Sequence, residues 1–316
     1  MTINEWGQLK KVIVGIADNA KIPKLDKSLR TVNYADIKNI NSIKYGPYPK
    51  QVIDEANEDL ETFCDFLKSE KIEVVRPIDN NPNYYNYCPR DSLLTYQDKS
   101  IVAPMPIKAR YQEWKAYEHH LNNIINLSQE HSEDLYNLDC IGNPNILALN
   151  ETEPAFDAAN ILKSNDTLLY LVSNSGNEKG VELLKEYFNV KIIKDVYSYM
   201  HLDSTIAFLK EGLLLLNPSR IKDKKILPEP FNKWDAIYAP DPVDIGYYED
   251  YCNSSKWVSM NLFSINSNLV VLEEHQHDLR KELEKYNIEC AMLPMRHART
   301  LGGCFHCVTL DLIRET

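Results

Sequence analysis

Apolar positions along the chain switch repeatedly between a period of two and a period near 3.6. LKKVIVGIA has the pattern of a buried strand. KQVIDEANEDLETFCDFLKSE then sets Val52, Ile53, Ala56, Leu60, Phe63 and Leu67 at helical spacing, and KIEVVRPI returns to strand. SLLTYQDKSIVAPM, two apolar runs around Gln97-Asp98-Lys99, predicts a hairpin, and a helix is expected over 111–127. The same grammar recurs in ANILKSNDTLLYLVS, EKGVELLKEYFN and VKIIKD, followed by the hairpin STIAFLKEGLLLLNP turning at Lys210-Glu211-Gly212. NLVVLEEHQHDLRKELEKYNIECAML repeats strand, helix and strand, and CVTLDLI supplies a last strand. The pattern predicts several copies of one strand-rich module with a helix in each. No stretch between copies reads as an interdomain linker. Residues 221–250 hold four of the sixteen prolines and little periodicity, which predicts a long ordered loop over a site.

Asp91, Asp157, His201 with Asp203, and the pair His306-Cys307 each stand just before an apolar strand. If the modules surround an axis, these polar groups share one end of it and converge there.

Composition narrows the classes. A chain of 316 residues with 44% hydrophobic content can bury a substantial core. The net charge of −11 is spread along the chain and Lys and Arg form no basic stripe, which argues against a nucleic-acid partner and suits a cationic small molecule. No apolar run approaches the roughly 20 residues needed to cross a bilayer, and MTINEWGQLKKVIVG has no signal-peptide core, so a cytoplasmic protein with no membrane partner is expected. Seven cysteines without framework spacing point to reduced thiols.

Among those thiols, Cys307 in LGGCFHCVTL follows two adjacent glycines that would let the backbone turn tightly and expose the sulfur; the alternative is a small buried hydrophobe at a strand start. Cys304 makes a C-x-x-C spacing with it, but there is no second metal-ligand pair and a strand follows where a redox motif would open a helix. His201, in MHLDSTIAFL, is a candidate base, with Asp203 two residues on. Asp157, in EPAFDAAN, lies among apolar and small residues where an unpaired carboxylate is costly; it is either a turn cap or the partner that orients an imidazole. Asp91, in CPRDSLL, is a turn residue, a partner of Arg90, or, with Asp203, one of two carboxylates gripping a guanidinium. Arg220, at the end of LLLLNPSR, could bind a carboxylate.

Taken in order, NEWGQLKKVIVG, GPYPKQVIDEANEDLE, CPRDSLL, APMPIKARYQEW, EPAFDAANIL, MHLDSTIAFL, LLNPSR, SSKWVSMNLFSI and LGGCFHCVTLDLIR resemble the amidinotransferase family of the guanidino-group-modifying (pentein) superfamily, with its glycine-, lysine- and inosamine-phosphate-directed members. The resemblance spans almost the whole chain. It implies a single catalytic domain over 1–316 with a five-bladed α/β propeller fold. It implies Cys307 as nucleophile, His201 as general acid and base and Asp157 as its orienting carboxylate. Asp91 and Asp203 would hold the guanidinium, and Arg220 and Ser255 would bind the amino-acid end of arginine. Cys304, Asn160 and residues 195–199 depart from the pattern of the glycine enzyme, which bears on the acceptor rather than on amidino transfer.

The activity so implied moves the amidino group of L-arginine through an amidino-cysteine to an acceptor amine such as glycine, lysine, an inosamine or a specialised-metabolite precursor, releasing ornithine, with no metal or organic cofactor and in a homodimer. Acceptor choice is expected to lie in residues 195–200 and 221–250. The alternatives are a hydrolase of the arginine deiminase or dimethylargininase type, and a catalytically silent arginine-binding relative. The M-H-x-D and L-G-G-x-F-H-C-x-T wording favours transfer.

Overall fold

The computed structural model describes residues 2–78, 81–82, 85–196 and 200–315. Five three-stranded sheets carry the architecture, together with a two-stranded ribbon of Lys21–Ile22 and Gly46–Pro47. Each of the five has the same topology, in which a middle strand pairs antiparallel with one neighbour and parallel with the other. Four are continuous in sequence: Leu93–Tyr96, Lys99–Val102 and Ile124–Asn126; Ile161–Ser164, Thr167–Leu171 and Val190–Ile193; Ile206–Lys210, Leu213–Leu216 and Asp235–Tyr238; Phe263–Asn266, Leu269–Glu273 and Glu289–Leu293. The fifth is assembled from both ends of the chain. Its middle strand, Gln8–Val14, pairs antiparallel with Thr309–Glu315 and parallel with Glu73–Val75.

The hairpins form where the alternation and the turn residues predict them. Gln97 and Gly212 take left-handed backbone conformations at two of the turns, with φ of 57° and 81°. The helix Lys50–Ser69 buries Val52, Ala56, Leu60, Phe63 and Leu67 as its spacing requires, while Ile53 sits at the half-buried edge of that stripe. The helices Glu178–Lys185 and His277–Glu284 cross over in two further modules.

Two expectations fail. The segment 111–127 is not a helix; it runs through the 3₁₀ turns Glu113–Ala116 and Glu118–His120 into the strand Ile124–Asn126. Trp114, Tyr117 and Leu121 mimic helical spacing but are buried by successive tight turns against Ile13, Leu93 and Leu310. Asn123, with φ of 46°, breaks the path, and the β-branched Ile124-Ile125 pair then joins the sheet edge. Residues 221–250 are likewise not a loop over a site. They form two 3₁₀ turns and the strand Asp235–Tyr238, which bury Ile221, Leu227 and Phe231 in an aromatic cluster with Trp6, Phe208 and Trp234, and 239–250 is irregular. Pro228 and Pro230 mark the tight turn before Trp234, whereas Pro240 and Pro242 lie in the irregular stretch.

Four of the five modules meet around a buried ionic cluster. Asp311, fully buried, accepts from Lys163 Nζ at 2.7 Å, Arg90 NH2 at 2.9 Å and Arg314 Nε at 2.7 Å. Arg314 also donates to the carbonyls of Gly7 at 2.7 Å and Ser264 at 2.8 Å, and Glu5 accepts from the Lys163 N–H at 3.0 Å. Burial works against the Asp311 charge, yet the three cations hold its carboxyl well below the usual range. Removing a partner from such a set leaves uncompensated buried charge. Asp311→Ala should therefore lower unfolding stability by about 3–5 kcal/mol, read in urea titrations; a loss below ~1 kcal/mol would show the cluster to be dispensable.

Candidate active site

Polar residues stand at the entrance of the first strand in every hairpin, and the structure gathers them at one place. Asp91 lies in the short helix Pro89–Ser92 ahead of Leu93; Asp157 precedes the 3₁₀ turn Ala158–Asn160 and Ile161; His201 precedes and Asp203 lies within the turn Leu202–Ser204 before Ile206; His306 and Cys307 precede Thr309. The remaining hairpin supplies Asn261, just ahead of Phe263. Its Oδ1 accepts from the Cys307 backbone N–H at 3.0 Å and its carbonyl from the His306 N–H at 3.3 Å. Sequence reading missed Asn261, although its place in the repeat is the signal that finds it.

Five of the seven expected residues come together. His201 Nε2 lies 2.9 Å from Asp157 Oδ2, and its Nδ1 lies 3.8 Å from Asp91 Oδ1. The Cys307 thiol donates to Asp203 Oδ2 at 3.3 Å and also interacts with His201 and Cys88. Asp157 makes no side-chain cap to the turn that follows it, so its carboxylate is free for the imidazole. Asp91 is not the partner of Arg90, which turns away to Asp311; it pairs instead with Arg110 at 2.9 Å, a residue that sequence reading did not single out.

The other two residues lie to the side. Arg220 donates to Ser204 Oγ at 2.8 Å and Thr205 Oγ1 at 2.7 Å, directly behind the Asp203 turn. Ser255 is exposed, and its hydroxyl caps the 3₁₀ turn Lys256–Met260 by accepting from the Trp257 N–H at 3.3 Å.

A cleft of about 420 Å³ opens above this group, with Asp91, Asp157, His201, Cys88 and Met200 among its lining residues. Tyr34, Tyr48 and Tyr85 make an aromatic wall, and Asn253 and Gly302 close one rim. No residue of 221–250 is part of the lining, and of the 195–200 segment Met200 lines it while 197–199 fall outside the described residues. Cys307 is 3% exposed and sits at the floor, beneath Cys88 and His201. It is thus buried, against the expectation of an exposed sulfur. The glycine pair before it has two separate causes. Gly302 takes φ of 86° to end the helix Ala298–Leu301, whereas a Cβ on Gly303 would stand 2.7 Å from Cys88 Sγ and 2.9 Å from Cys307 Cβ.

The charges around this floor are crowded. Burial pulls the His201 imidazole down, but the Asp91 charge and the hydrogen bonds to Asp157 and Cys307 hold it well above its ordinary 6.5. Asp203 is kept well below the usual carboxylate range: burial opposes its charge, and the hydrogen bond and charge of His306 together with the His201 charge overcome that. Hydrogen bonding to Cys88, burial and the Asp203 charge push the Cys307 thiol well above its ordinary 9.0, against a pull from His201. Both shifts favour a thiol beside an imidazolium, and a positive group placed between the carboxylates would favour the thiolate.

This arrangement of a buried thiol, a carboxylate-paired imidazole and two further carboxylates under a cleft has close relatives. Inosamine-phosphate amidinotransferase 1 of Streptomyces glaucescens is 36% identical over 336 residues, 98% of this chain and 95% of that protein. The chain belongs to the amidinotransferase family. The L-arginine:L-lysine amidinotransferase of Pseudomonas savastanoi pv. phaseolicola is 30% identical across 98% of this chain and 93% of its own length. The solved structure of an inosamine-phosphate amidinotransferase from Streptomyces griseus superposes with a TM-score of 0.93 at 35% identity, covering 100% of this chain and 97% of that one. No protein-family model matches the chain. Among the described residues of this amidinotransferase, no helix is long and apolar enough to cross a membrane.

The raised pKa of His201 means that the fold favours its imidazolium, a contribution present below the ordinary 6.5 and lost as pH rises through the higher folded value. Asp157→Asn removes one of the charges responsible. In histidine side-chain NMR, the His201 midpoint should fall toward 6.5 in that variant, whereas an unmoved midpoint would mean that Asp157 does not govern this proton.

Proposed function

We propose that this protein transfers the amidino group of L-arginine to an acceptor amine through a covalent amidino-Cys307 intermediate, releasing L-ornithine. The observation that carries this reading is the convergence of Cys307, His201 and Asp157 with the carboxylates of Asp91 and Asp203 under one cleft. A guanidinium is planar and cationic, and paired carboxylates recognise it by charge-assisted hydrogen bonds. Bound between Asp91 and Asp203, it brings positive charge next to Cys307 and so stabilises the thiolate that the unliganded site disfavours.

With the guanidinium in place the Cys307 thiol loses its proton to solvent through the cleft, His201 being already protonated, and the resulting thiolate attacks the central guanidinium carbon. The bond from that carbon to the δ-nitrogen breaks as the His201 imidazolium gives its proton to the leaving ornithine amine. An S-amidino-cysteine and a neutral imidazole remain. The acceptor amine enters the vacated space, attacks the same carbon and gives its proton to His201, and the carbon–sulfur bond breaks to release Cys307 as a thiolate, which takes up a proton from solvent once the cationic product leaves. Asp157 keeps the imidazole oriented in both halves. Asp203 also holds the thiol before reaction, and Arg220 and Ser255 are assigned to the amino-acid end of arginine. In this reading the chain is a single catalytic domain, and the five equivalent sheets are the blades of a propeller whose axis end carries the site.

Cys307→Ala should abolish ornithine release, and His201→Asn should lower turnover by about 10²–10⁴-fold. With isotopically labelled arginine and a panel of amines that includes glycine, lysine and inosamine phosphates, ornithine should form beyond one equivalent per site only when an acceptor is present, with the label in a new guanidino product. Citrulline formed without any amine would replace this reading by hydrolysis, and ornithine released by the Cys307→Ala variant would remove the covalent step.

A further inference from the structure

The cleft wall beside Asp91 carries a guanidinium of the protein's own. Arg110 NH1 donates to Asp91 Oδ2 at 2.9 Å, its Nε donates to Glu113 Oε2 at 2.9 Å, and its NH2 lies 2.8 Å from that same oxygen as an ion-pair contact. The Tyr85 ring lies 5.2 Å from the guanidinium carbon, and the Tyr85 N–H donates to the other Glu113 oxygen at 2.9 Å. The group is thus gripped on two sides by carboxylates and covered by an aromatic face.

This grip uses only half of Asp91. Oδ1 is buried, accepts no hydrogen bond and faces His201 Nδ1 at 3.8 Å, and Asp91 lines the cleft. A buried carboxylate oxygen without a donor is costly, and a cationic ligand in the cleft would relieve that cost. A carboxylate with both oxygens free could also rotate and present either one. Bonding to Arg110 removes that freedom. Glu113 has a complementary part, because an Arg110 guanidinium not held by Glu113 could itself swing onto Oδ1 and compete with a substrate guanidinium.

We propose that Arg110, anchored by Glu113 and Tyr85, is a positioning residue that locks the Asp91 carboxylate with Oδ1 open to the guanidinium of bound arginine. The inference rests on the arginine-donor reading above. It assigns Arg110 no contact with the reacting carbon; its effect passes through Asp91. Sequence distance hides the pairing, since Arg110 and Asp91 lie in different segments and meet only where the 3₁₀ turn Lys108–Arg110 packs over the helix Pro89–Ser92.

The test compares Arg110→Met, Arg110→Lys, Asp91→Asn and the Arg110→Met/Asp91→Asn double variant. Arg110→Met should raise KM for arginine by about ten- to a hundred-fold, the scale of a charge-assisted hydrogen bond, with a smaller change in kcat. Arg110→Lys keeps the charge but loses the two-sided grip and should fall between Arg110→Met and the unaltered enzyme. In the Asp91→Asn background, Arg110→Met should add no further loss. Calorimetric titration of arginine into the same variants on a Cys307→Ala background separates the two readings. If Cys307→Ala alone binds no arginine, the donor reading fails; if it binds and Arg110→Met leaves the affinity unchanged, the positioning role is overturned. A full additional loss in the Asp91→Asn background would equally overturn it. Should Arg110→Met fail to fold, an unchanged KM in Arg110→Lys overturns it.

Discussion

The fully buried carboxylate of Asp311 is the interaction on which the rest of the molecule depends. It collects Lys163 from one hairpin, Arg90 from the short helix ahead of another, and Arg314 from its own strand. Arg314 extends the set to the backbone of Gly7 and Ser264, and Arg90 to the carbonyls of His306 and Thr309. A hydrophobic contact at this place would hold the sheets together without fixing their order. Ionic hydrogen bonds are directional and must all be satisfied, so they bind the four modules they join in one position. The link to the site is direct. His306 reaches Glu5 on one side at 3.5 Å and Asp203 on the other at 3.0 Å, so the charge cluster orients the carboxylate that holds the Cys307 thiol.

Repetition explains why the chemistry gathers where it does. Each hairpin begins with a residue on a tight turn, and five such entrances placed side by side bring Asp91, Asp157, His201 with Asp203, Asn261 and Cys307 within reach of one another. The modules can differ elsewhere, since two cross over through 3₁₀ turns and not through an α-helix, without disturbing the entrances.

Electrostatically the floor of the cleft is short of positive charge. Asp91, Asp157 and Asp203 are all nearly inaccessible to solvent, and Asp91 and Asp157 each retain a buried oxygen without a hydrogen-bond donor. Burial, with the Asp157 charge, raises the Asp91 carboxyl against His201 and Arg110, and burial raises Glu113 to about 7 despite Arg110. Such a site suits a cationic ligand that brings both charge and N–H donors, and it keeps the nucleophile protonated while that ligand is absent.

The sequence alone determined the local elements and the residue types that can do chemistry. Alternation and turn residues specified the hairpins, the 3.6 period specified the Lys50–Ser69 stripe, and the ordered motifs singled out Cys307, His201, Asp157, Asp91 and Asp203, because these are properties of neighbouring residues. Tertiary structure alone decided which polar groups are partners: Arg110 and not Arg90 for Asp91, Cys88 and Gly303 against Cys307, Asn261 as the fifth entrance, and the Asp311 cluster. It also decided that 111–127 and 221–238 pack as tight turns and strands, where apolar spacing and proline content had suggested a helix and a loop. The physical reason is the same throughout. Spacing along a chain reports which face of an element is apolar, whereas a hydrogen bond or ion pair between residues far apart in sequence depends on where the sheets have been placed, and only the packed core places them.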